Sequence, residues 1–211
     1  LVKGAASQSG NFIEIQDSTG SATARFRVLS TGEPSCPGAG ANSERFGGVT
    51  IASGDLSTAI GFGAIASGVD SVALGAGAVS SALRSHAIGR TADAVGIGCT
   101  AVGWSSSASN ENAIALGQSA VASGDGAMAL GSGASATGGA GDANALGRNS
   151  IAVAVSWAIG TGAVTTAANQ CVMGSSSHPL TDLYFGGGVT AASPSSPTFN
   201  ATGGSGTNVP G

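Results

Sequence analysis

The chain has 211 residues, 37 of them glycine, with 9% charged and 4% aromatic residues and a formal net charge of −4. No basic run gives a footprint for nucleic acid, and no apolar run approaches the ~18 residues of a membrane helix. Three cysteines, Cys36, Cys99 and Cys171, lack the close spacing of a zinc site, and an odd number cannot all pair within one chain. A chain so rich in glycine and serine suits disorder, but regularly spaced aliphatic residues argue against that for its middle. It begins at Leu1, with no signal-peptide pattern, as a piece of a longer or processed protein would.

Residues 7–32, "SQSGNFIEIQDSTGSATARFRVLSTG", read as a β-hairpin, two alternating strands about a "DSTG" turn. Residues 33–46, "EPSCPGAGANSERF", are rich in Pro and Gly and read as a linker closing an N-terminal segment, 1–46. From residue 47 to 178 a 14-residue unit repeats. One half ends in "TAIG" (58–61), "VALG" (72–75), "HAIG" (86–89), "TAVG" (100–103), "IALG" (114–117), "MALG" (128–131), "NALG" (144–147), "WAIG" (157–160) and "CVMG" (171–174). The other half is "IASG" (51–54 and 65–68), "DAVG" (93–96), "VASG" (121–124) and "SATG" (135–138), and "GGAGD" (138–142) inserts two residues. Residues 179–211 form a Gly-, Ser- and Pro-rich C-terminal segment.

Glycine at every seventh position argues against helix and suits a tight turn with positive φ. Asn110 in a glycine slot fits, since Asn also tolerates positive φ; Ala82 takes such a slot for no evident reason. Two short strands and two turns per unit make an all-β, two-sided parallel roll, its coils stacked about 4.8 Å apart. Strand side chains alternate between faces. The large aliphatic before each glycine, such as Ile60, Leu74 or Leu116, is expected to point into the coil. The preceding residues, Ala59, Ala73, Ala87, Ala101, Ala115, Ala129, Ala145 and Ala158, then point outward. Alanine there allows another chain to approach closely, and a core so thin leaves the coil dependent on a partner. This column is the candidate interface of an obligate oligomer.

The repeat resembles the head domain of trimeric autotransporter adhesins, the YadA-like roll, over residues 47 to 174. That resemblance implies a left-handed roll and a homotrimer, and makes the alanine column a trimer interface. The flanks, 7–32 and 180–211, are similar to segments of bacteriophage tail fibres. Neck, stalk and anchor motifs are not seen in these residues. Together these likenesses favour a virion fibre that is extracellular, forms or presents a host attachment site, and contacts other fibre or baseplate proteins. A bacterial surface adhesin or filament subunit is the alternative.

Enzymatic readings find little purchase. "GFGAIA" (61–66) and "GSGASA" (131–136) fit a dinucleotide-binding pattern, but outside a strand–helix context they are repeat turns. His86 and His178 are isolated, and Asp70, Glu111 and Asp125 fall in turns without a cleft. The expectation is a non-enzymatic protein without cofactor, metal or nucleic acid. An ice-binding solenoid would need a threonine ladder that does not recur. The residue after each first-half glycine runs along one turn edge, and there Phe62, Arg90 and Trp104 are the candidate lateral contact for a surface glycan or envelope protein.

Overall fold

The structure, a computed structural model, describes residues 38–138 and 142–180, with the backbone of three short strands ahead of them. The chain divides into two units, residues 1–180 and 181–211. Ile13–Ile15 pairs antiparallel with Phe26–Val28, the hairpin expected from its alternation. Pro34–Ser35 adds a third strand within the stretch read as linker. The DSTG turn, Cys36 and the segment beyond residue 180 lie outside the described residues.

The repeat folds into two facing parallel sheets. Ten three-residue strands stack in chain order, from Glu44–Phe46 through Thr58–Ile60, Val72–Leu74, His86–Ile88, Thr100–Val102, Ile114–Leu116, Met128–Leu130, Asn144–Leu146 and Trp157–Ile159 to Cys171–Met173. Eight strands, from Ile51–Ala52 to Ile151–Val153, form the opposite side. Pairing joins equivalent residues of successive units, Ala59 to Ala73 and Ala101 to Ala115, so each unit is one coil and each strand one rung. Ten rungs give a rod of about 45 Å at the parallel-strand spacing. The first rung begins at Glu44, three residues ahead of the expected start at 47.

The facing of the strands is the reverse of the expectation. Ala59, Ala73, Ala87, Ala101, Ala115, Ala129, Ala145 and Ala158 are 0% exposed within a single chain. They form the core and cannot be a surface where another chain docks. Four inner columns fill the coil, represented in one unit by Ser57, Ala59, Ala64 and Ala66, all buried. The two sheets lie too close for more than a methyl or a hydroxyl from each side. The large aliphatics that alternate with these alanines therefore stand outside. Of the hydroxyls that enter the core, Ser43, Ser85, Ser106 and Ser150 each donate to the carbonyl three residues back, at 2.7, 2.7, 3.0 and 2.8 Å, whereas the buried Oγ atoms of Ser57 and Ser71 have no partner. Cys99 occupies the serine column, its Sγ donating to the Ala108 carbonyl at 3.2 Å, and burial pushes its thiol pKa up. Cys99 and Cys171 are both free, in keeping with their separation along the rod.

The two glycine columns have different causes. Gly61 and its equivalents from Gly47 to Gly147 take φ of 129 to 140°, a region closed to other residues, and a β carbon at Gly61 would stand 2.6 Å from the carbonyl of Gly75. Gly54 and Gly68 have ordinary φ; a β carbon there would meet the carbonyl oxygen of the next coil, at Gly68 and Ala82 respectively. Asn110 and Ala82 share this second column, so positive φ is not what places Asn110 there. The left-handed residues lie two positions after each glycine and include Val49, Leu56 and Thr91, bulky side chains rarely found at φ of 52 to 57°.

The rod's ends depart from the small-residue rule. Arg45 takes the alanine position in the first rung and donates to the Thr50 carbonyl at 3.3 Å, and Val172 takes it in the last. Beside that last rung, Gln170 Oε1 accepts from the backbone amides of Thr166 and Ala167 at 2.8 and 3.0 Å, tying off the final loop.

Candidate interaction surfaces

Inversion of the facing puts an apolar column on the outer face of the ten-stranded sheet. Phe46, Ile60, Leu74, Ile88, Val102, Leu116, Leu130, Leu146, Ile159 and Met173 succeed one another rung by rung. Phe46, Ile60, Leu74, Ile88, Leu116 and Met173 are exposed, the rest half-buried. The column beside it mixes Glu44, Thr58, Val72, His86, Thr100, Ile114, Met128, Asn144, Trp157 and Cys171. A continuous apolar stripe of this length on a monomer marks a surface meant to be covered. Sequence reasoning had these residues in hand but assigned them to the interior.

The turn edge that follows this sheet holds the three residues singled out from sequence. Phe62 is 70% and Trp104 53% exposed, and Arg90 is exposed as well. Arg90 and Trp104 sit on adjacent coils, joined by the Ser105 amide donating to the Arg90 carbonyl at 3.0 Å. Phe62 stands apart, with Ala76 on the coil between it and Arg90. Next to this column runs a second one that sequence reasoning passed over, containing Thr91, Ser105 and Ser119; the Thr91 and Ser105 hydroxyls share a hydrogen bond of 3.0 Å. The opposite turn edge is mainly acidic and aliphatic, carrying Asp55, Asp70, Glu111 and Asp125, with the single cation Arg84, among exposed Leu56, Val69, Leu83 and Ile97.

A shallow cavity of about 510 Å³ lies at the end of the rod, lined by Val164, Val172, Met173, Pro179 and Leu180. Among the described residues no group of three or more His, Cys, Asp or Glu is placed to hold a metal ion. His86 lies on the face of the ten-stranded sheet, while His178 lies past the last rung with its Nδ1 3.1 Å from Ser177 Oγ. Among the described residues no helix is long and apolar enough to cross a membrane.

Residues 52–78, 94–120, 108–134 and 122–139 match the family described as "YadA head domain repeat (2 copies)", about a third of the chain in all. No curated protein matches the chain. The chain is also similar to the solved collagen-binding domain of the Yersinia adhesin YadA, with 21% identity and a TM-score of 0.37, over 69% of this chain and 65% of that one. It thus spans less than two thirds of that domain's length. Repeats outside the matched segments, at 86–89 and 157–160, take the same rung positions as those inside them. The matched units of this rod are YadA head domain repeats, and the units between and beyond them stack in the same register.

Proposed function

We propose that the chain is the attachment head of an extracellular trimeric adhesin: a left-handed, non-enzymatic rod that holds a binding surface away from its base. The exposed apolar column from Phe46 to Met173 carries this reading. Covering the exposed two fifths of one such side chain is worth about 1 kcal/mol. Ten rungs therefore supply on the order of 10 kcal/mol per protomer, enough to offset much of the cost of association. Three rolls packed by this face around one axis bury the whole column, and three-fold packing is the arrangement that the repeat family implies. The repeats' match to an adhesin head family supports a bacterial surface as the carrier. The tail-fibre expectation gains no support from that match and rests on the flanks alone.

The partner is a molecule of another surface, a glycan or an exposed protein, and the Phe62–Arg90–Trp104 edge is the first place to look. The test compares beads coated with the trimeric chain and with a Leu74→Asp/Leu116→Asp variant on immobilised collagen, other matrix proteins and bacterial envelope extracts. Retention of the wild type on at least one surface, lost in the variant, supports the reading. No retention by either contradicts it.

A further inference from the structure

The reading of the chain as an attachment head leaves its ligand open, and one edge of the rod narrows the choice. Five successive coils place Arg90, Trp104, Gln118, Ser132 and Arg148 in one turn column, all exposed. Their spacing is fixed by a ladder of backbone hydrogen bonds: Ser105 to Arg90 at 3.0 Å, Ser119 to Trp104 at 2.8 Å, Gly133 to Gln118 at 2.8 Å and Asn149 to Ser132 at 2.9 Å. Ser132 and Arg148 are sixteen positions apart, two more than one unit, yet the Asn149 amide donates to the Ser132 carbonyl and the column keeps its register.

Charge is unevenly divided between the edges. Neither turn column of this edge holds a carboxylate, although the whole chain is acidic; Asp55, Asp70, Glu111 and Asp125 all lie on the other edge, where Arg84 offsets one of them. On balance an anion is attracted here and repelled there. Trp104 offers a flat apolar ring with a polar edge. Gln118 and the hydroxyls of Thr91, Ser105 and Ser119 offer donors and acceptors directly beside it. Coils about 4.8 Å apart advance by close to the length of one pyranose unit. Arg90 and Arg148, four coils apart, then meet sugars of the same parity in a chain whose acidic unit alternates with a neutral one.

We propose that this edge is a track for a linear, carboxylated polysaccharide, with Trp104 stacking on one sugar and Arg90 and Arg148 each pairing with a carboxylate. Arginine matches a carboxylate bidentately, and such charge-assisted bonds are the strong ones. The track extends the site beyond Arg90 and Trp104 and leaves Phe62 outside it.

The probe is a hyaluronan hexasaccharide, in which uronate and N-acetylhexosamine alternate, set against neutral chitohexaose. Both are titrated into the full chain carrying Trp157→Phe, so that emission reports Trp104 alone. The hexasaccharide should shift that emission and bind at least about tenfold more tightly than chitohexaose, with affinity falling as salt rises. Calorimetry on Trp104→Ala, Arg90→Gln and Arg148→Gln should show about tenfold weaker binding for each, with mass and melting unchanged. Equal binding of the neutral and acidic sugars overturns the proposal, as does no response of the wild type, or full affinity in all three variants. Adhesion of the triple variant separates the two readings. If it still adheres and the hexasaccharide does not bind the wild type, the track fails and the attachment head stands.

Discussion

Ala115→Leu tests which side of the strand is the inside. Ala115 is fully buried, paired in register with Ala101 on one side and Ala129 on the other. Leucine adds three carbons to a space that admits one. Overpacking in an ordinary core costs about 1–3 kcal/mol, because neighbours can shift. Here the neighbours are backbones held by ladder bonds, such as Ile114 to Ala127 at 2.8 Å and Gly117 to Val102 at 2.8 Å. Opening the coil enough to admit leucine breaks some of these at about 1 kcal/mol each. The cost is therefore at the top of the range, about 3 kcal/mol per protomer, a fall in Tm of roughly 6–12 °C for a chain of this size. Every protomer carries the change, so the shift is not diluted by assembly. Leu116→Ala, one residue on, leaves the coil interior intact and weakens association by about 1 kcal/mol per protomer. Thermal melts followed by circular dichroism, with sedimentation of each variant, separate the two effects. Wild-type melting of Ala115→Leu would refute an interior alanine column.

Other substitutions probe other parts of the coil. Gly61→Ala places a β carbon 2.6 Å from the Gly75 carbonyl at φ 129° and should cost about 3 kcal/mol or more, whereas Gly63→Ala, at φ 67° with open space around it, should cost about 1 kcal/mol; chemical denaturation measures both. Val49→Gly relieves a left-handed valine that is exposed and should raise stability by about 0.5–1 kcal/mol in the same assay. Burial raises the Asp93 carboxyl pKa above its ordinary value, so the folded state binds that proton more tightly and loses stability as pH rises through the carboxylate range. Asp93→Asn should accordingly raise Tm at pH 7 and lose that advantage toward pH 3. In a Cys36→Ser background, a thiol reagent should label the exposed Cys171 in the native protein and reach the buried Cys99 only on unfolding.

The period was legible because a solenoid repeats its constraints: each coil needs the same turns, so "AIG" and "ASG" recur and place both sheets, their parallel pairing and the turn edges. What alternation does not carry is its sign. A one-residue choice sends every side chain to the other face, and the usual rule that large apolar groups go inside chose wrongly here. The corrective signal lay in the second half-repeat. Ala66, Ala94, Ala108, Ala122 and Ala136 recur as steadily as Ala59 and its equivalents, and an interior bounded by two such columns holds small residues on both sides. Size at Ile60 or Leu116 then reads as a surface awaiting a partner. The edge was partly legible for a related reason: Arg90 and Trp104 stand out in a bland column, whereas the hydroxyls beside them look like ordinary turn residues until the coils are stacked.

The outer apolar column is tested most directly by sedimentation equilibrium of the wild type beside Leu74→Asp/Leu116→Asp, two rungs whose leucines are 40% and 38% exposed in the single chain. The wild type should have three times the 19.7 kDa mass of one chain at all concentrations. The double variant, with a charge on two rungs of the column, should fall toward the mass of one chain and lose stability with it. A double variant that keeps the wild-type mass and melting temperature would contradict an interface on this face.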